Sequence, residues 1–234
     1  MIPQKIKTSD GLIAGIECSG ESFSVALVQN GKCLACGGGY SPRSHLRRLF
    51  PALKECLDSA GASFKDLQAV AVTAGPGSFT GLRLGVVTAR TVAQTTGCAL
   101  IGVDTLEALA ASHPGIPCLL AGLDARRSEV FAAFFDTSDG GCRRLAEDKA
   151  YKPEELAEAC REMNCALAVG SGPVRYEAVL KAAAPELQIA NSLFAQIGAD
   201  QVAMIGERKL KEGKTVSPFE LLPTYLRSAD VMLG

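Results

Sequence analysis

Gly75-Pro-Gly-Ser-Phe-Thr-Gly-Leu-Arg83 is the segment with the most chemical potential in this chain. Glycines crowded at the start of a helix bare backbone amides, and those amides with the helix N-terminus can receive an anion. Gly75, Gly77 and Gly81 would lie closest to the charge, with Ser78 or Thr80 as the cap. The lysine of a P-loop is missing and the spacing is not GxGxxG. GxGxxxG followed by a strand ending at Asp104 is nevertheless a near-match to a dinucleotide fingerprint. The run of strands before it and Pro76 within the turn argue against that use. Close packing of a helix on a strand explains the same glycines without a ligand, so both readings stand at this point. A second glycine turn, Gly170-Ser-Gly172, is a weaker candidate for the same contact.

Other chemistry is constrained by what the chain lacks. The two histidines, His45 and His113, are far apart, and neither belongs to an HxxxH pair that would grip a metal on one helix face. Their positions at helix ends suit caps or surface residues. No GxSxG elbow presents a serine nucleophile, since Gly170-Ser-Gly-Pro173 reads only as a turn. No catalytic residue and no metal site is therefore assigned. Nine cysteines are scattered through apolar segments of a 234-residue chain, which favours free, buried thiols over a disulfide framework. Cys33 and Cys36 have CxxC spacing, but strand alternation would send them to opposite faces, and no second pair or nearby histidine completes a zinc site.

The totals describe an ordinary folded protein, with 47% hydrophobic and 21% charged residues. A chain this long buries roughly 70–75% of its unfolded surface. A net charge of -1 supplies no general field for nucleic acid, so any RNA contact must be local or come through a partner. Lys5 and Lys7 precede an apolar run, Leu12 to Ile16, too short for a signal peptide, and no segment approaches a membrane span. A cytoplasmic location is the expectation.

The elements that must carry these residues follow from periodicity. Leu12–Ile16 and Ser24–Val28 read as strands, and Asn30-Gly31 signals a hairpin into a third at Lys32. Leu46, Leu49, Phe50, Leu53 and Leu57 recur at three- and four-residue steps, so 44–60 is expected to be helical, with Pro51 inside it and Gly61 at its end. A strand at 69–73, a helix to Gly97 and a strand at 98–103 complete a β-β-β-α-β-α-β order. In the second half a helix at 106–112 precedes strands at 118–123 and 130–135, with a further one at 142–147. A helix from Lys152, a strand at 166–169 and mostly helix to Pro223 follow. The expected class is α/β, two lobes each with a mixed sheet flanked by helices, the lobe pattern of the actin, hexokinase and Hsp70 superfamily. The expected division is 1–103 and 104–234, with the C-terminal helix free to pack back on the first lobe.

Thr73 through Gly85, with GPGSFTGLR at its centre, resembles the signature of the TsaB family. Ile13-Ala-Gly-Ile-Glu-Cys-Ser19, Gly102-Val-Asp-Thr-Leu-Glu-Ala-Leu-Ala110, Leu123-Asp-Ala-Arg126 with Glu129-Val-Phe, and Pro223-Thr-Tyr-Leu-Arg227 extend the resemblance over most of the chain. It implies a noncatalytic scaffold in the modification of tRNA to threonylcarbamoyladenosine, beside the catalytic subunit TsaD and the ATPase TsaE. A homodimer is implied in their absence, with tRNA met only through the complex and no membrane contact. The contact surface it implies lies on the 44–60 and 79–96 helices, through Leu46, Leu49, Phe50, Leu53, Arg83 and Val87. Arg43, Arg47 and Arg48 add charge to the first of these helices. Ser19 joins the two glycine turns as a possible contact to ATP or ADP. Glu17 departs from the aspartate usual in that family and weakens the nucleotide expectation. The alternative is a self-sufficient enzyme of the same fold, a small-molecule kinase or glycoprotease-like peptidase.

Overall fold

The computed structural model describes residues 11–40, 45–190 and 197–226, with the backbone alone at 45–47. Its elements in chain order begin with β1 (Leu12–Glu17), β2 (Ser22–Gln29), β3 (Lys32–Tyr40), α1 (His45–Ser59), a 3-10 turn (Phe64–Asp66), β4 (Leu67–Gly75), α2 (Phe79–Thr96) and β5 (Ala99–Asp104). Then come α3 (Thr105–Ala111), β6 (Leu119–Arg126), β7 (Glu129–Asp136), β8 (Arg143–Arg144), β9 (Lys149–Tyr151) and α4 (Pro153–Glu162). The chain continues through β10 (Leu167–Val169), α5 (Ser171–Arg175), α6 (Glu177–Ala183), β11 (Gln188–Ile189) and α7 (Ala199–Lys211). Two compact units result: the chain up to Asp104 with Gly198–Thr224, and Thr105–Ile197 with the residues from Tyr225 on. The 198–224 segment thus belongs to the first unit, with its helix and the strap behind it.

In the first unit the sheet order is β3-β2-β1-β4-β5, antiparallel across β1, β2 and β3 and parallel across β1, β4 and β5. All six residues of β1 are buried, because it has a strand on either side and helices above and below. Alternation along β4 sends Val70 and Val72 into the core under α1 and α2, while Gly206 of α7 sits over Ala71. Gly15 has no room for a side chain, since a Cβ there would stand 2.0 Å from the Ala199 carbonyl oxygen. Helix α2 buries Leu82, Val86, Ala89, Val92 and Ala93 at helical spacing and ends on Gly97, whose φ of 76° is the left-handed cap expected there. Behind α7, Val216 bridges to Leu100, Leu221 enters the core, and Thr224 N donates to the Ala74 carbonyl at 2.6 Å.

β3 is the edge strand, and a bulge at Leu34 changes its facing. Val28 pairs with Cys33, Leu27 with Ala35 and Ala26 with Cys36. The extra residue puts Cys33 and Cys36 on the same face, correcting the alternation expected from spacing alone. Both are exposed, whereas Cys18, Cys56, Cys118, Cys160 and Cys165 are buried as free thiols.

The second unit is built on a sheet of order β11-β10-β6-β7-β8, with β9 also on β7. Along β7, Val130, Ala132 and Phe134 face α4 and α6, and Ala133 and Phe135 face α3, so the period of two feeds a core on each side. The strand expected at 142–147 shrinks to Arg143–Arg144, and the region after Gly170 holds two short helices and β11 rather than continuous helix. Among the described residues no helix is long and apolar enough to cross a membrane.

Candidate functional site

The glycine-rich segment forms the turn between β4 and α2, with a cis Gly75–Pro76 bond. It lies directly on the turn between β1 and β2. Ser78 N donates to the Ser19 carbonyl at 2.7 Å, and Ser78 Oγ accepts from Gly81 N at 3.4 Å as the helix cap. A Cβ at Gly81 would come within 1.9 Å of the Cys18 carbonyl oxygen, and one at Gly77 within 2.7 Å of the Ser19 carbonyl. Both glycines are therefore required by backbone-to-backbone contact. Gly75 is held the same way against the strap, where its Cβ would stand 2.2 Å from the Thr224 carbonyl.

Ser19 turns inward as well. Its N–H donates to Glu17 Oε1 at 2.5 Å and its hydroxyl donates to the same oxygen. Glu17 is buried, and that burial pushes its carboxyl up to about 7 even though the two Ser19 bonds pull the other way. The donors at Ser19, Ser78 and Gly81 that an anion would use thus have acceptors within the chain. Thr80 lies on the exposed side of the first turn of α2. Close packing, one of the two uses the sequence allows, accounts for these glycines.

Gly170 and Gly172 are in the second unit and behave alike. Their Cβ atoms would meet the Gly122 carbonyl at 2.1 Å and Val130 Cγ1 at 2.4 Å. Ser171 Oγ between them accepts from Asp124 N at 3.0 Å.

The helices expected to dock a partner divide by face. Leu49 and Leu53 are buried in the core, which removes them from any outward surface. Phe50 is 49% exposed and stacks on Phe64 with ring centroids 5.2 Å apart, and Val87 on α2 is 57% exposed. The Arg83 guanidinium lies 3.7 Å over the Phe79 ring, itself partly exposed. Arg48 reaches over Phe23 at 5.8 Å. The side chains of His45, Leu46 and Arg47, and all of Arg43, lie outside the described residues. An apolar pair with a stacked arginine therefore remains on the outside of α1 and α2.

His113 Nδ1 bonds the Leu109 carbonyl at 3.1 Å and serves as an end cap on α3. Among the described residues no three His, Cys, Asp or Glu side chains gather to hold a metal.

Periodicity alone did not mark the β6–β7 hairpin tip as special. Arg126, Arg127 and Ser128 have φ of 63°, 52° and 59°, three successive left-handed residues with no glycine among them. Each costs roughly 1 kcal/mol for its Cβ. Asp124 supports them: its Oδ1 accepts from Arg126 N at 3.0 Å and its Oδ2 from Arg175 Nη1 at 2.9 Å. The available signal was a two-residue loop between apolar runs that holds neither Asn nor Gly.

Two sheets of this order, each flanked by helices, define an α/β protein of the actin-like class. The fold matches YeaZ from Pseudomonas aeruginosa with a TM-score of 0.78 at 24% identity, covering 92% of this chain and 100% of that one. A ROK hexokinase from Thermus thermophilus matches at 0.52 and 12% identity, over 84% of this chain and 99% of that one. Residues 27–234 match the family model described as TsaD, tRNA N6-adenosine threonylcarbamoyltransferase. The tRNA threonylcarbamoyladenosine biosynthesis protein TsaB of Escherichia coli is 32% identical over 92% of this chain and 94% of its own length. That of Haemophilus influenzae is 26% identical over 92% and 93%. The chain belongs to the TsaB family.

Proposed function

We propose that this protein is a noncatalytic subunit in tRNA threonylcarbamoyladenosine biosynthesis, working through the surface it offers to the catalytic subunit TsaD, beside the ATPase TsaE. The observation that carries this reading is the use of the signature turn: its glycines are held by close contact with Cys18, Ser19 and Thr224, and its Ser78 and Gly81 amides donate to the Ser19 carbonyl and the Ser78 hydroxyl. A segment so specific to the family acts here as a joint that sets α2 on the sheet. It thereby holds Phe79, Arg83 and Val87 beside α1. The near full-length similarity to a protein named for this pathway supports the same reading. In the absence of the catalytic partner the same face pairs two copies of the chain, and a tRNA substrate makes the cytoplasm the compartment.

The decisive experiment is a modification assay with purified chain, TsaD and TsaE from the same cell, omitting each in turn. Threonylcarbamoyladenosine should form in the full mixture, fall to background without this chain, and be absent with this chain alone. ATP turnover or peptide cleavage by the isolated chain would establish the self-sufficient kinase or peptidase instead, and modified tRNA from the chain alone would overturn the noncatalytic role. Phe50→Asp with Val87→Asp, at two exposed positions, should fold normally and weaken partner binding by about a hundredfold, since a carboxylate would be desolvated in an apolar contact. Unchanged affinity by calorimetry would remove α1 and α2 from the interface.

A further inference from the structure

A two-residue hairpin with both central residues at positive φ is made most easily by Asn-Gly, because only short or absent side chains fit there without strain. The β6–β7 hairpin closes instead on Arg127-Ser128, with Arg126 also left-handed before them. A loop that needed only to turn the chain would not hold two guanidinium groups there. The surrounding residues keep them in place. Asp124 accepts from Arg126 N at 3.0 Å, and its Oδ2 receives Arg175 Nη1 at 2.9 Å and Arg126 Nη1 at 3.7 Å. The Asp124 side chain is largely covered, while those of Arg126 and Arg175 are 68% and 55% exposed. One carboxylate thus draws two arginines together at the tip, beside an exposed Arg127.

We propose that this tip is a contact point for the sugar–phosphate backbone of RNA, with Arg126, Arg127 and Arg175 meeting phosphate oxygens. The proposal rests on the reading above that a tRNA is what the assembly modifies. The planar guanidinium fork matches a phosphate bidentately, which a lysine would not do. A protein partner is the poorer fit. Binding energy between proteins concentrates in buried aromatic and aliphatic anchors. Among the described residues the exposed large apolar side chains lie elsewhere, none of them on β6 or β7. Asp124 and Glu129 leave the tip only weakly positive, and the chain carries a net charge of -1, so the contact works by geometry and not by a diffuse field.

The test is a titration of fluorescently labelled tRNA with the full chain, alone and with TsaD, at several salt concentrations. Arg127→Asn with Ser128→Gly installs the favoured turn and removes one guanidinium. It should melt no lower than the parent, bind tRNA about tenfold more weakly at fixed salt, and lower the slope of log K against log salt by about one. Ser128→Gly alone relaxes the turn and keeps every arginine, so it should melt higher with tRNA affinity unchanged. Parental affinity and slope in the double variant would overturn the proposal. So would a parent chain that binds no tRNA in either setting, or a double variant whose loss falls on affinity for TsaD. The modification assay reports separately on the subunit's role: product that depends on this chain, with a double variant that binds tRNA normally, would keep the role and discard the tip.

Discussion

Glu17 is the residue with the clearest solution signature. Its carboxyl titrates near 7 in the folded protein because burial penalises the charge, against an ordinary value of 4.5. Between those values the folded state holds a proton that the unfolded state has released, so stability falls as pH rises from about 4.5 to about 7 and levels off above. The whole change is about 3 kcal/mol. Glu17→Gln should flatten that decline in chemical denaturation measured across this range, and a decline of unaltered steepness would show that another group is responsible. Leu53, taken from sequence as a docking residue, is core instead, and Leu53→Ala should cost about 3 kcal/mol. The helical spacing of apolar residues in α1 was plain; which of them face inward is decided by the rotation of the helix on its sheet.

At the scale of elements, the joint between α2 and the β1–β2 turn controls how the helices proposed to dock a partner are carried. Gly81→Ala forces a Cβ into the Cys18 carbonyl, and neither backbone can move away without lifting α2. A loss of about 3 kcal/mol is expected, together with weaker partner binding. Thr80→Ala, one residue away on the exposed side, should stay within about 0.5 kcal/mol of the parent. Comparing the two melting curves separates a packing glycine from its neighbour. The segment's glycine spacing showed that something must come close, but anion and backbone make the same demand on a Cβ, so the sequence left the two equal. The bulge at Leu34 is a similar case: one extra residue on an edge strand alters facing without altering composition.

For the whole molecule, the return of the last segment to the first unit is the organising fact. Helix α7 covers β1 and β4 with Ala199, Ala203 and Gly206, and the strap behind it contributes Leu221 to the same core. A chain ended at Ile197 would leave that face of the sheet bare. Limited proteolysis should then cut throughout 11–104 while 105–190 resists, and equal protection of both regions would refute this account. The order of strands and helices in the first hundred residues, the α/β class and the family were determined by the sequence itself, because they follow from local periodicity, turn residues and a distinctive glycine motif. Tertiary structure alone decided which face of α1 is core, what fills the space before the glycines, and which unit takes the final helix. Each of those depends on contacts between residues far apart in the chain, and local spacing carries no record of them.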